Sequence, residues 1–327
     1  MSQSHPYDAL TPDVILDAVD SVGFHCDGGL TALNSFENRV YQLGQDDGPP
    51  LIAKFYRPAR WSDAAILEEH AFSCELAERE IPVVAPLNLP DGSTLGLFHD
   101  FRFAVYPRRA GRTPELDDTN TLEWLGRFLG RIHAVGALTV FQSRPTLDIA
   151  SFGDESVALL RQRQCLPADL EAAYFSVVEQ VLTLIRQRWQ EAGSVANLRL
   201  HGDCHPGNIL WTDAGPHFVD FDDCRMGPAI QDLWMLLSGE RREQQNQLGF
   251  LIDGYSEFAD FDERELVLIE PLRTLRMLHY SAWLARRWDD PAFPANFPWF
   301  NSQHYWQDQI LALREQQAAL QEAPLRL

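Results

Sequence analysis

The stretch that decides how this chain is read is LRLHGDCHPGNILW, residues 198–211. Its ends, 198–200 and 209–211, are short apolar segments of strand character. The residues between them hold glycine and proline and therefore form a loop. That loop carries a carboxylate and an amide at a fixed spacing, His201-x-Asp203-x-x-x-x-Asn208. A further apolar segment, 218–221, reads as a strand, and Asp220 stands at its end, twelve residues after Asn208. Asp and Asn in a Gly/Pro loop are ordinary turn formers, and a lone Asp at a strand end serves equally well to hold a turn. The weight of the motif therefore rests on what surrounds it.

Toward the N-terminus, Thr11-Pro12-Asp13 followed by Val14, Ile15, Ala18 and Val19 predicts a capped amphipathic helix with proline at its start. Residues 39–43 and 51–56 read as strands joined by a turn over 46–50, and 62–80 reads as a helix ending before Ile81-Pro82. Residues 101–106 form another strand, and Pro107-Arg108-Arg109-Ala110-Gly111 is the candidate hinge. Beyond it, Leu122, Leu125, Leu129 and Ile132 fall on one helical face. Leu170, Tyr174, Val177, Val181, Ile185 and Trp189 repeat the pattern. From Gln231 onward the chain is helical apart from the Pro- and aromatic-rich 290–300. The expected fold is α+β and bilobal: a small β-rich N-lobe over 1–106, and a larger α-helical C-lobe over 107–327, joined once.

The 327 residues carry 27 basic against 47 acidic side chains, a formal charge of −20 with a pI near 4.8. With 45% hydrophobic and 11% aromatic residues the chain can bury a large core, which excludes disorder. The acidity argues against a nucleic-acid or anionic-membrane binder, because both attract basic faces. A polyphosphate remains possible only with localised positive charge or a metal ion. No apolar run approaches the ~18 residues of a membrane span. The first basic residue is Arg39, so no charged leader is expected. Five scattered cysteines (Cys26, Cys74, Cys165, Cys204, Cys224) without a CxxC suit a reduced compartment, and the expected location is the cytoplasm. Of the 27 basic residues, 26 are arginine and one is lysine, Lys54, inside a predicted strand. A lone ammonium matters where a compact, strongly hydrated point charge is needed, although surface lysines also persist by chance.

Phosphoryl transfer gives these residue types a joint purpose, since it needs in-line positioning and neutralisation of phosphate charge rather than covalent help. The spacing H-x-D-x-x-x-x-N is that of the catalytic loop of kinase-type phosphotransferases. Asp203 would orient an acceptor hydroxyl and take its proton. Asn208 and Asp220 would hold Mg²⁺ against the phosphates. Lys54 would fix the α/β-phosphates of ATP, steadied by a glutamate from the following helix. The motif is short enough to arise by chance, so its specificity lies in the conjunction: right order, strand–loop–strand context, and Lys54 upstream on a strand that precedes a helix.

The chain resembles the aminoglycoside-phosphotransferase/choline-kinase branch of the protein-kinase-like fold. Within it, the chain is most similar to the bacterial stress response kinase A group. The resemblance covers nearly the whole chain. It runs through LNSFENRVY (33–41), KFYRP (54–58), ILEEH (66–70), the catalytic loop, GPAIQDLWML (227–236), and the region from Ile269-Glu270-Pro271 to Phe297-Pro298-Trp299. It implies an ATP- and Mg²⁺-dependent serine/threonine protein kinase of stress response, transferring the γ-phosphate to a Ser/Thr hydroxyl of a protein of unknown identity. By this match Asp203 is the proton acceptor and Asn208 and Asp220 are the metal ligands. Lys54 and Ser35 bind ATP, and Asp232 braces the catalytic loop. Glu69 is preferred over Glu68 as the partner of Lys54. Two departures stand out. Residues 34–38 lack the glycines of a phosphate-covering loop, and only eleven residues separate Asp220 from Asp232, too few for an activation segment.

Other readings weigh less. His201, His205, Cys204 and Cys224 lack the paired spacings zinc favours. A redox role for Cys204 rests only on its position beside Asp203. His133 reads as a packed helix residue, and Trp283, Trp288 and Trp299 as packing aromatics. Arg108, Arg109 and Arg112 read as a solvated loop, Asp223 as structural, and Asp222 as an outlying ligand candidate. Alternatives to a protein kinase are a small-molecule kinase for an aminoglycoside, choline or homoserine-like acceptor, which the −20 charge suits if the acceptor is cationic, and a nucleotide-binding regulator without catalysis.

Overall fold

A computed structural model describes residues 6–327. Thr11 caps α1 (Pro12–Ser21) by accepting from the Val14 N–H, with Pro12 in the first turn where its missing donor costs nothing. There follow β1 (Cys26–Ala32), β2 (Arg39–Gln45) and β3 (Leu51–Phe55), then α2 (Asp63–Glu78), and then β4 (Gly96–Phe98) and β5 (Phe101–Pro107). The strands form one antiparallel sheet in the order β1-β2-β3-β5-β4, so β3 is central. Period-2 alternation sorts its two faces. Leu51, Ala53 and Phe55, with Phe101, Phe103 and Val105 of β5, pack against Ile15, Ala18 and Val19 of α1. Lys54, opposite Val40 and Ala104, therefore points the other way, toward α2.

The larger lobe contains α3 (Thr119–Gly136), α4 (Glu155–Arg163), α5 (Ala168–Ala192), a pair of two-stranded ribbons, and α6 (Ile230–Trp234) through α7 (Arg241–Tyr255), α8 (Ile269–Arg287), α9 (Ala292–Asn296) and α10 (Gln303–Ala319). One ribbon pairs β6 (Leu198–Leu200) with β9 (Arg225–Gly227); the other pairs β7 (Ile209–Thr212) with β8 (Gly215–Phe218). The predicted face of α3 is fully buried: Leu122, Leu125, Leu129 and Ile132. Each such side chain stabilises the lobe by about 1.5–3 kcal/mol relative to exposure. Helix α3 lies so close to α7 that a Cβ on Gly126 would collide with the Leu251 carbonyl, and one on Gly254 with that of Glu123.

The α+β bilobal expectation therefore describes the architecture, with differences among its strands; the short strands β4 and β9 lie where none is expected from the sequence. Strand β1 was not anticipated, because Asp27, Gly28 and Gly29 give it no apolar alternation; its pairing to β2 creates it. The strand expected over 218–221 is shifted: β8 ends at Phe218, Asp220 adopts left-handed backbone (φ 60°, ψ 67°), and residues 221–223 turn in a 3-10 helix. The lobes also meet away from the connecting segment, since the Phe218 N–H donates to the Pro82 carbonyl at 2.8 Å and the Val84 N–H to the Phe218 carbonyl at 2.9 Å. Among the described residues no helix is long and apolar enough to cross a membrane.

One buried carboxyl makes stability pH-dependent. Glu265 accepts the Ile230 N–H at the start of α6 at 2.8 Å, and burial pushes its pKa up to about 7. A folded-state value above the unfolded one contributes stability that is present below about pH 4.5 and lost as pH rises through about 7. Glu265→Gln keeps the acceptor and removes the charge. It should raise the free energy of urea unfolding by about 3 kcal/mol at pH 8 and leave it unchanged at pH 4.

Candidate active site

Lys54, Ser35, Glu69, Asp203, Asn208 and Asp220 line a single cavity of about 690 Å³ between the lobes. The Lys54 ammonium is buried and lies 3.2 Å from Glu69 Oε1, 3.0 Å from Asp220 Oδ1 and 3.3 Å from Asp222 Oδ1. Burial alone would favour the neutral amine. The three carboxylates outweigh it and hold the pKa well above the ordinary lysine value. Glu68 faces elsewhere, accepting the N–H groups of Gln142, Ser143 and Arg144 at 2.7–3.0 Å. Glu69 is the residue of the two that α2 turns inward.

The catalytic-loop candidate is held by backbone hydrogen bonds. Asp232, fully buried on α6, accepts the N–H groups of His201 and Gly202, each at 2.8 Å. A carboxylate can only accept, so His133 Nε2 is the donor to Asp232 at 3.1 Å, and its Nδ1 lies 3.1 Å from the Tyr255 hydroxyl. His201 Nε2 donates to the Val219 carbonyl at 2.8 Å. These contacts fix the loop from below and leave the Asp203 side chain facing the cleft. Asn208 donates its Nδ2 to the Asp203 carbonyl at 2.9 Å, which leaves its Oδ1 as the group available to a cation. The Val219 N–H donates to the Asn208 carbonyl at 3.0 Å, so the next residue, Asp220, emerges beside it. The left-handed turn at Asp220 lifts its carboxylate to 56% exposure, whereas Asp222 is buried.

Asp222 and Asp223 are bound by arginines. Arg60 reaches both, with 2.9 Å to Asp223 Oδ1. Burial raises the Asp222 pKa, but Arg60 and Lys54 lower it more, so the carboxyl is held below its ordinary value. Arg144 ties the site together: it donates to Glu69 Oε2 at 2.8 Å, to the Ala65 carbonyl at 2.8 Å and to the Asp222 carbonyl at 2.5 Å.

The glycine-free segment 34–38 is held by side chains instead. Ser35 Oγ accepts the Val40 N–H at 3.1 Å across the loop's own base. Glu37 receives Arg57 at 3.2 Å, Arg287 at 2.5 Å and the Trp283 indole N–H at 2.5 Å, and the Phe36 ring meets Phe297 at 4.8 Å. Arg57 also pairs with Asp290 at 2.5 Å. Helix α8 and the aromatic segment after it thus hold the loop over the cleft, where Trp283 packs against Phe293 and Phe297 as expected.

Sequence reasoning missed Arg60, Arg144 and Arg276. Arg276 of α8 places Nη1 2.5 Å from Asp203 Oδ1. The residues between Asp220 and Asp232 are consumed by the turn, β9 and the start of α6, leaving no free activation segment. Cys204 is fully buried, and burial with Asp232 and Asp203 nearby pushes its thiol well above the ordinary value; a reactive thiolate has no basis there. No group of three or more His, Cys, Asp or Glu is placed to hold a metal among the described residues. Arg108, Arg109 and Arg112 are exposed, but Arg109 also lines the cavity, contrary to the solvated-loop reading, and the Arg112 backbone pairs with Trp211.

Comparison with known proteins places this geometry. The model of the phosphotransferase enzyme family matches residues 29–267. Stress response kinase A of Escherichia coli (strain K12) is 47% identical over 321 residues, covering 98% of this chain and 97% of that protein. The serine/threonine protein kinase RdoA of Salmonella typhimurium is 46% identical with the same coverage. Among solved structures, amicoumacin kinase hAmiN in complex with AMP-PNP, Ca²⁺ and Ami superposes with a TM-score of 0.71 at 20% identity, covering 92% of this chain and 95% of that one. A microcompartment-associated aminopropanol kinase gives 0.66 at 18% identity, covering 94% and 96%. The lobes, the cleft and the full-length kinship agree, and the chain belongs to the phosphotransferase enzyme family as a kinase of protein-kinase-like fold.

Proposed function

We propose that the chain is an ATP- and Mg²⁺-dependent serine/threonine protein kinase of bacterial stress response, acting in the cytoplasm. Residues 1–106 form its nucleotide-binding lobe and residues 107–327 its catalytic and substrate lobe. The observation that carries the phosphotransfer reading is the convergence of Lys54, Asp203, Asn208 and Asp220 on one cleft. In this reading Lys54, braced by Glu69, holds the α/β-phosphates, and the segment containing Ser35 covers them. Asn208 Oδ1 and the Asp220 carboxylate fit Mg²⁺, a hard cation that takes one or two protein oxygens and keeps water and phosphate oxygens as its other ligands. When bound, the ion neutralises phosphate charge. Asp203 accepts the proton of the acceptor hydroxyl as that oxygen forms its bond to the γ-phosphorus, and the β–γ bridging bond breaks to release ADP. The hAmiN structure, which holds an ATP analogue and a divalent ion, supports nucleotide and metal use.

Protein rather than small-molecule specificity rests on the full-length relatives at 46–47% identity, one of them named a serine/threonine protein kinase. The second reading, a kinase for a cationic small molecule, draws on the names of the amicoumacin and aminopropanol kinases and on the −20 charge. Incubation with radiolabelled ATP and Mg²⁺ separates them. The expected result is phosphoserine or phosphothreonine on a generic protein substrate or on the enzyme itself, abolished by EDTA. Turnover confined to aminoglycosides or amino alcohols would reject the protein-kinase reading.

A further inference from the structure

Helix α8 lines the far side of Asp203, and its composition departs from that of the whole chain. It carries Arg273, Arg276, Arg286 and Arg287 against a single carboxylate, Glu270, in a protein of net charge −20. Arg276, Tyr280, Trp283 and Arg287 are spaced four, three and four residues apart, which places them on one face. At one end of that face, Arg287 and the Trp283 indole hold Glu37 of the segment proposed to cover the nucleotide. At the other end Arg276 meets Asp203, and between them the Tyr280 and Trp283 rings lie 5.6 Å apart with Tyr280 exposed. The face therefore runs from the nucleotide cover to the proposed proton acceptor.

Arg276 is not among the residues lining the cavity that contains Lys54, Asn208 and Asp220; it approaches Asp203 from outside it. Among the described residues only its Nη1 finds a partner, and its side chain is 40% exposed. A guanidinium presents five N–H donors in a rigid fork, so one can stay on Asp203 while others take a second anion. Asp203 Oδ2 faces the imidazole of His205 at 3.6 Å. An acceptor hydroxyl that reaches Asp203 from the α8 side meets a cationic group there, and an acceptor with a negative charge close to its hydroxyl gains where a cationic one is repelled.

We propose that Arg276, with the Tyr280 side of α8, forms an acceptor subsite for a carboxylate, so that the preferred substrate is a serine or threonine flanked by acidic residues. This rests on the protein-kinase reading above and narrows it to one substrate class. Arg276 is a specificity residue: it recognises the acceptor and orients Asp203, and Asp203 takes the proton.

The test uses the full-length enzyme with Mg²⁺ and ATP and three serine peptides identical except for Glu, Gln or Arg at the positions flanking the serine. The expected order of kcat/KM is Glu above Gln above Arg, with at least a tenfold preference for Glu over Gln. In Arg276→Gln the Glu/Gln ratio should collapse toward one through a higher KM for the Glu peptide. Arg276→Lys, which keeps the charge and loses the fork, should restore part of the ratio. A wild-type preference for the Arg peptide, or a Glu/Gln ratio unchanged in Arg276→Gln, overturns the proposal. So does an Arg276→Gln effect confined to the KM for ATP, which would place the guanidinium on the nucleotide. Turnover of none of the three peptides overturns the proposal together with the protein-kinase reading, whereas turnover without charge discrimination overturns the acidic subsite alone.

Discussion

Asp203→Asn should lower the kcat of phosphoryl transfer by about 10²–10⁴-fold, the usual contribution of a positioned general base, and leave the affinity for ATP within about threefold. The split follows from the local bonding. Asn208 is oriented by the backbone carbonyl of residue 203, not by its side chain, so the substitution leaves Asn208 Oδ1 where it is. The loop itself hangs on Asp232 through the N–H groups of His201 and Gly202, which the change does not touch. An asparagine oxygen can still accept from Arg276, so no buried or half-buried cation is stranded. The negative charge is removed, and with it the ability to take a proton, while an acceptor oxygen is kept. Steady-state kinetics paired with nucleotide titration measure both halves. More than a tenth of wild-type kcat would remove Asp203 from the proton-accepting role, and a parallel loss of ATP affinity would assign it to nucleotide binding.

What the sequence made legible was whatever is encoded locally. The strand–loop–strand of residues 198–211 could be read because loop formers lie between two apolar segments, and β6 and β7 fall where that pattern puts them. Lys54 stood out as a unique residue type, and period-2 alternation is what turns it from the α1 core to the cleft. The 218–221 segment misled because its apolar run continues through the left-handed turn at Asp220; hydrophobicity says which residues are buried, not where the backbone reverses. The arginine contacts were invisible for a different reason. Arg57 meets Asp290 across 233 positions, Arg60 meets Asp222 across 162, and Arg276 meets Asp203 across 73. No helical or strand period links such positions, and in a chain with 26 arginines each one looks like the others.

Those distant arginines also govern how the site tolerates change, and Lys54 shows this most sharply. Lys54→Met should lower the free energy of unfolding by about 2–4 kcal/mol and weaken ATP binding at least tenfold. Removing one partner of a buried ion pair costs about 3–5 kcal/mol when the other is left uncompensated. Here Glu69 keeps Arg144, and Asp222 keeps Arg60, so the loss should fall at or below the lower end of that range. The pH dependence has a definite sign. Without the ammonium, burial raises the Glu69 pKa further above its unfolded value, a shift whose stabilising contribution is present at low pH and lost as pH rises through the folded pKa. The defect should therefore be larger at pH 8 than at pH 5, and the further change Glu69→Gln should recover part of it in a double-mutant cycle. Lys54→Arg separates the two roles: a guanidinium restores the positive charge among the carboxylates and much of the stability, yet its planar fork does not reproduce a compact ammonium against the phosphates, so activity should stay low. Denaturant unfolding across pH, run beside nucleotide titration, tests each part. Equal stability of Lys54→Met and wild type would mean that Arg60 and Arg144 alone neutralise the carboxylates, and full activity in either variant would remove Lys54 from the nucleotide site.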